Sequence, residues 1–229
     1  MSLSKLIPCM LIVLSGCSSM NTARPLPPKA HAAGLTFGGP LVEFGGSYIP
    51  LPNAILEGRS GLEPLNGHAW DVSYGINLTA IAFDQIGLQG GTTYLIMEQD
   101  GARPAWSVSD KLFLYNNWLS SSRHPDSKGI WAMNQIETLV SWQYKGQLLY
   151  AGVSQSIDLQ DPSLLINPIL GVELINSGTD PGFSVQLETR YYAIGRHQQV
   201  TAATWKAPAG TGALGMSLGL QYRFGGNNK

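Results

Sequence analysis

The chain has 229 residues, room for one domain with a sizeable buried surface. Only 13% of residues are charged, against about 25% for an ordinary soluble domain, and Gly is abundant at 27. A net charge of -1 gives no electrostatic basis for holding nucleic acid, and no apolar run after the N-terminus is long enough for a helical membrane span.

Both cysteines, Cys9 and Cys17, fall near the N-terminus, so the body of the chain is expected to hold no disulfide and no cysteine metal site. Lys5 precedes a short apolar run, Leu6 to Leu14, in the pattern of a signal peptide. The run ends in Leu14-Ser15-Gly16-Cys17. On these residues the leader resembles that of bacterial lipoproteins, whose lipobox has this Leu, small, small, Cys form. The resemblance covers the leader alone. It implies that the lipoprotein-processing machinery cleaves before Cys17, leaving a diacylglycerol on its sulfur and an acyl group on its new amine. Several acyl chains anchor stably, because each buried methylene adds about 0.8 kcal/mol. Ser18 stands where the family's inner-membrane retention signal has Asp, which implies passage to the outer membrane. The expected organisation is a signal peptide over 1–16, a lipidated flexible tether over 17–33 carrying Pro25, Pro27 and Pro28, and a barrel over 34–229.

Ten segments then read as strands. The first, Pro40 to Ile49, sets Val42, Phe44 and Tyr48 against Glu43, Gly45 and Ser47; the second, Ala54 to Leu62, sets Leu56 against Glu57, Arg59 and Gly61. The third, Ala69 to Phe83, alternates Trp70, Val72, Tyr74 and Ile76 with Asp71, Ser73, Gly75 and Asn77. The fourth is Ile86 to Met97. The fifth, Trp106 to Asn116, also fits a helix face through Val108, Leu112, Tyr115 and Leu119. The sixth, Ala132 to Lys145, turns tightly at Lys145-Gly146-Gln147 into the seventh, Leu148 to Asp158. The eighth is Leu165 to Asn176 and the ninth Phe183 to Ile194. The tenth, Ala213 to Phe224, puts Leu214, Met216, Leu218, Leu220, Tyr222 and Phe224 on one parity and Gly, Ala, Ser and Arg223 on the other. A water-facing strand would carry Lys, Glu and Thr on that second face. Small polar residues opposite large apolar ones are the pattern of a transmembrane barrel.

The expected fold is therefore all-β, an up-and-down antiparallel transmembrane β-barrel of ten strands, or eight if the second and fifth segments are loops. An even count puts both barrel ends on the periplasmic side with the anchor, and leaves the long polar stretches near 118–130 and 195–212 outside. The inward parity collects Glu57, Arg59, Asp71, Glu137, Glu173, Glu188, Arg190 and Arg223, read as a lumen charge network rather than an active site. His31, His68, His124 and His197 lie in the tether, a turn and two loops, without metal-ligand spacing and without the strand-borne His, Ser and acid of lipid A-trimming enzymes. Trp70, Tyr94, Trp142, Tyr144, Tyr191, Tyr222 and Phe224 lie toward strand ends as an interface girdle would. Phe224 also resembles the terminal aromatic that outer-membrane barrels show to their assembly machinery, with Gly225 to Lys229 after it.

The functional expectation is a monomeric, lipid-anchored outer-membrane barrel with a structural, permeation or surface-interaction role. Its partners are outer-membrane lipid and the lipoprotein-processing and barrel-assembly machinery, with no nucleic acid, no cofactor, no metal and no turnover. The alternative inverts the faces, giving a tethered lipocalin-like carrier of a hydrophobic ligand. A third is an enzyme acting on lipid A or phospholipid through its loops.

Overall fold

The computed structural model describes residues 23–44, 47–50, 53–82, 85–116, 130–159, 164–175, 182–192 and 213–226. Its strands are β1 (Ala30–Phe44), β2 (Ser47–Pro50), β3 (Ala54–Gly61), β4 (Trp70–Asn77), β5 (Ile86–Met97), β6 (Ala105–Asn116), β7 (Ile130–Tyr144), β8 (Gln147–Asp158), β9 (Leu164–Ile175), β10 (Gly182–Tyr192) and β11 (Ala213–Gly225). All pairings are antiparallel and follow chain order from β3 to β11. The sheet closes where β1 takes β11 on one side, Ala30↔Gly225 to Pro40↔Gly215, and β3 on the other. β2 adds only a short ribbon to the end of β1, Leu41↔Pro50 to Phe44↔Ser47. The result is a closed, ten-strand, up-and-down antiparallel barrel, with no free edge along its wall.

Alternation sorts the side chains as the sequence pattern expects. Large apolar residues point outward and exposed on every wall, among them Leu56, Leu88, Leu112, Ile136, Leu149, Leu170, Leu187, Leu218 and Leu220. The inward parity holds the buried polar and charged residues. A polar interior inside an apolar exterior is the architecture of outer-membrane-type barrels. Some outward residues depart from it: Asp110, mid-strand in β6, is exposed and accepts a hydrogen bond from Asn134 Nδ2 at 2.6 Å, and Gln155 on β8 is exposed as well.

Both ends of the closed sheet, Ala30 and Gly225, lie at one end of the barrel, here called the near end. The near-end connections are short. Asn66-Gly67 (φ 52° and 82°) and Lys145-Gly146 (φ 46° and 77°) have positive φ at both central residues, the signature of type I′ hairpin turns. The longest connections, 117–129 and 193–212, leave from the far end. Exposed Trp106, Trp142, Tyr144, Phe183, Tyr222 and Phe224 ring the near end, with Tyr222 4.8 Å from Phe183 and 6.2 Å from Phe224 between ring centroids.

Three expectations need correction. The first barrel strand is Ala30–Phe44, not Pro40 to Ile49, so the expected start at 34 falls inside β1, and His31 sits on that strand rather than in a tether. Residues 30–39 are mostly Ala and Gly, which have too little apolar bulk for alternation to show, yet they fit where backbones crowd at closure. The third segment does not run to Phe83. It ends at Asn77, whose side-chain oxygen accepts from Ala80 N at 2.9 Å and caps a single helical turn, α1 (Leu78–Ala82). The fifth segment is strand throughout, because only the sheet pairs its backbone on both sides. The leader with Cys9 and Cys17, the loop histidines His124 and His197, and most of the long loops lie outside the described residues.

Candidate functional site: a lumen filled in three layers

At the near end, residues 23–29 run inside the barrel instead of trailing from it. Ala23 packs against Leu139, Leu148, Tyr150 and Ile169 of β7, β8 and β9, and its carbonyl accepts from Ser107 Oγ at 2.9 Å. Arg24 donates to Ser141 Oγ and Gln143 Oε1, both at 3.1 Å, and to Gln99 Oε1. Burial pulls the Arg24 guanidinium below its ordinary range, with Glu98 opposing, and it stays charged throughout the working pH range. The chain then crosses to the opposite wall, where Leu26 N donates to Asp71 Oδ2 at 2.8 Å and Leu26 packs on Ala30 and Ala32. β6 and β7 stand half the barrel's circuit away from β1, so this segment is a strap across the mouth's diameter.

Pro27 to Ala30 makes the corner from strap to wall. Ala30 N donates to Pro27 O at 3.1 Å, with Pro28 and Lys29 (φ 64°) at the centre, a turn of the kind that wants Pro first and positive φ second. Lys29 N donates to Gly61 O at 3.1 Å. A Cβ on Gly61 would lie 1.9 Å from Pro27 O, so only glycine lets the strap lie this close. Gly61→Ala is expected to lift the strap and to speed deuterium exchange at the Leu26 and Lys29 amides roughly tenfold or more, as about 1.4 kcal/mol of local destabilisation gives. Unchanged exchange would show that the contact does not hold it.

The middle layer is ionic. Glu137, with a side chain 0% exposed, lies 3.2 Å from Arg190 NH2 and 3.6 Å from Lys111 Nζ, and accepts from Ser109 Oγ at 3.1 Å and from Gln135 Nε2. Arg190 also reaches Glu188 at 3.2 Å, whose other oxygen accepts from the Tyr150 hydroxyl at 3.0 Å. The Tyr150 ring covers Gly171, where a Cβ would come within 2.1 Å of it, and its oxygen accepts from Gln186 Nε2. Arg59 pairs with Asp71 and donates to Arg24 O at 3.0 Å, which ties this layer to the strap. Nearer the mouth, level with the strap and with Arg59 and Asp71, Arg223 pairs with Glu173, and Glu57 accepts from Gln89 Nε2 at 3.0 Å.

At the far end an apolar cluster lies on the β6 and β7 side, while Thr36, Asn53, Gln85, Ser156 and Asn167 are buried polar residues toward the same end. Ala80 of α1 packs with Phe113, Tyr115 and Met133, and the Tyr115 hydroxyl accepts from Asn77 Nδ2 at 3.3 Å.

All eight charged residues expected in the lumen face it, and they form several groups rather than one. Glu188 and Arg190 pair directly, and the Arg190 guanidinium also joins them to Glu137, whereas Arg223 pairs with Glu173 instead. Sequence reasoning missed Lys111, Arg24 and Tyr150. With them, five carboxylates (Glu57, Asp71, Glu137, Glu173, Glu188) meet five cations (Arg24, Arg59, Lys111, Arg190, Arg223) among the described residues. Lys111 shares the inward parity of the fifth segment, so settling strand against helix there would have found it. His31 Nδ1 lies 3.0 Å from Ser60 Oγ on the outer face, with its ring 5.7 Å from Phe224, and His68 stands 5.5 Å from Tyr94.

No protein-family model matches the chain, and no curated protein matches it. Among solved structures it is similar to the translocator domain of the autotransporter NalP from Neisseria meningitidis, with a TM-score of 0.44 and 10% identity over 96% of this chain and 97% of that one.

Proposed function

We propose that the chain is a lipid-anchored outer-membrane barrel with a sealed lumen, acting as a structural or surface-interaction platform and neither passing solute nor turning over substrate. The observation that carries this reading is the occupied interior among the described residues: the strap, the ion pairs from the strap's level to mid-barrel, and the apolar cluster on the β6 and β7 side of the far end. Buried charges in such a layer fix an arrangement more than they add stability, which suits a wall that must keep one shape. A lipocalin-like carrier needs its apolar face inward, and here that parity points out. Membrane insertion then offsets the exposure of the outer leucines, and the near-end ring of Trp, Tyr and Phe marks one interface. The lipobox at Leu14-Ser15-Gly16-Cys17 puts the anchor on the same side as the near end, and the long loops 117–129 and 193–212 would face the medium as the interacting surface.

The test is fractionation of the Cys17→Ala protein with carbonate extraction, followed by planar-bilayer recording of the purified barrel. The expected result is a protein that stays in the membrane pellet without its lipid and shows no steady conductance. Release into the periplasmic fraction would overturn the integral barrel, and a stable open current would overturn the seal.

A further inference from the structure

The outer wall carries a shallow groove of about 380 Å³ between β7 and β8, lined by Ile136, Thr138, Val140, Ala151, Val153 and Gln155. Ala151 and Gly152 give it small residues, and Ile136, Val140 and Val153 give it aliphatic ones beside Thr138 and Gln155, a lining suited to a flexible hydrocarbon chain. We propose that it seats an acyl chain of the lipid on the protein's own Cys17, an inference that rests on the lipidation proposed above.

Chain length limits where that lipid can sit. Ala23 is fixed inside the barrel against Leu139 and Tyr150, whose chain neighbours Val140 and Ala151 line the groove on the other side of the same wall. Six residue steps separate Cys17 from Ala23, which gives about 21 Å at full extension. Ten strands about 4.8 Å apart and tilted about 40° make a perimeter of roughly 60 Å and a diameter near 20 Å. To meet lipid, the chain must first come down to the rim and cross it. That leaves enough length for the wall behind Ala23 and too little for the outside of β1 or β3. Arg24 sets the crossing point, because its bonds to Gln99, Ser141 and Gln143 hold it between the turns after β5 and β7. Trp142, on the outer face at that rim with its Nε1 donating to Ala102 O at 3.1 Å, stands where a glyceryl group would emerge, one outward position nearer the rim than Val140. The anchor is therefore confined to the β6 to β8 side, and the groove is the apolar hollow it meets there.

The test places a benzophenone photocrosslinker at Val153 in the groove or at Leu56, exposed on β3 across the barrel, in the full chain matured in its native membrane. Mass spectrometry then looks for an intramolecular adduct with the lipidated tryptic peptide Cys17–Lys29. The expected result is a several-fold excess of that adduct from Val153. Equal yields at both sites, or a lipidated peptide with no adduct at Val153, would overturn the groove and leave the anchoring intact. An unmodified Cys17 in the unirradiated sample would bring down both.

Discussion

Glu137→Leu is expected to destabilise the folded barrel by about 3–5 kcal/mol, read as a shifted midpoint in urea titration of the protein in detergent. Glu137 is fully enclosed, and its two oxygens face Lys111 and Arg190 while accepting from Ser109 and Gln135. Removing the carboxylate leaves both cations desolvated with one fewer counter-charge. Two features make the test specific. Glu137→Gln keeps an oxygen in place and should lose less. Glu137→Leu combined with Lys111→Met should recover part of the loss, since a buried pair replaced by well-packed apolar groups is often close to neutral. If the single change costs less than about 1 kcal/mol, the ionic layer does not hold the lumen together.

Leu218→Arg should cost about 2–4 kcal/mol and abolish the heat-modifiable folded band, because it places a charge near the middle of the outer apolar face. Leu218 lies mid-strand in β11, paired with Leu187 on one side and Phe37 on the other, and all three are exposed on the outer wall. Ser217→Arg, one residue earlier, points to the lumen opposite Glu188 and should be tolerated better. Equal losses at the two positions would sink the assignment of faces.

The barrel was legible because its period is two and its faces differ sharply in residue size. Leu218 against Ser217 is a contrast that survives any uncertainty about strand ends. The strap was not legible, because Arg24-Pro25-Leu26-Pro27-Pro28 has no period, and such a segment reads alike whether it hangs in water or crosses a lumen. Its only local sign is the demand for glycine at Gly61, which appears once register sets β3 beneath Pro27. Tyr150 was hidden for a similar reason. A large ring on the small-residue parity makes sense only beside Gly171, a cross-strand neighbour that no linear spacing reveals. The eight charges were legible as inward-facing, but their partners depend on register and on which side chains reach past a neighbouring strand: Asp71 meets Arg59 on the next strand, and Glu137 meets Arg190 three strands away. The long-range choice of Glu173 for Arg223 could not be read from parity.

The strap also constrains the order of assembly. Residues 23–29 lie inside a wall that closes only when β11, the last strand, zips onto β1, the first. Closure joins the two ends of the sequence, the kind of distant pairing that folds slowly. A strap seated against Ser107, Ser141 and Asp71 before that step gives β4, β6 and β7 a common template to curl around. If seated afterwards, it must thread back through the near-end mouth. A chain begun at Ala30 would therefore be expected to insert with a slower closing phase, as a barrel that has lost the mandrel on which it is wound.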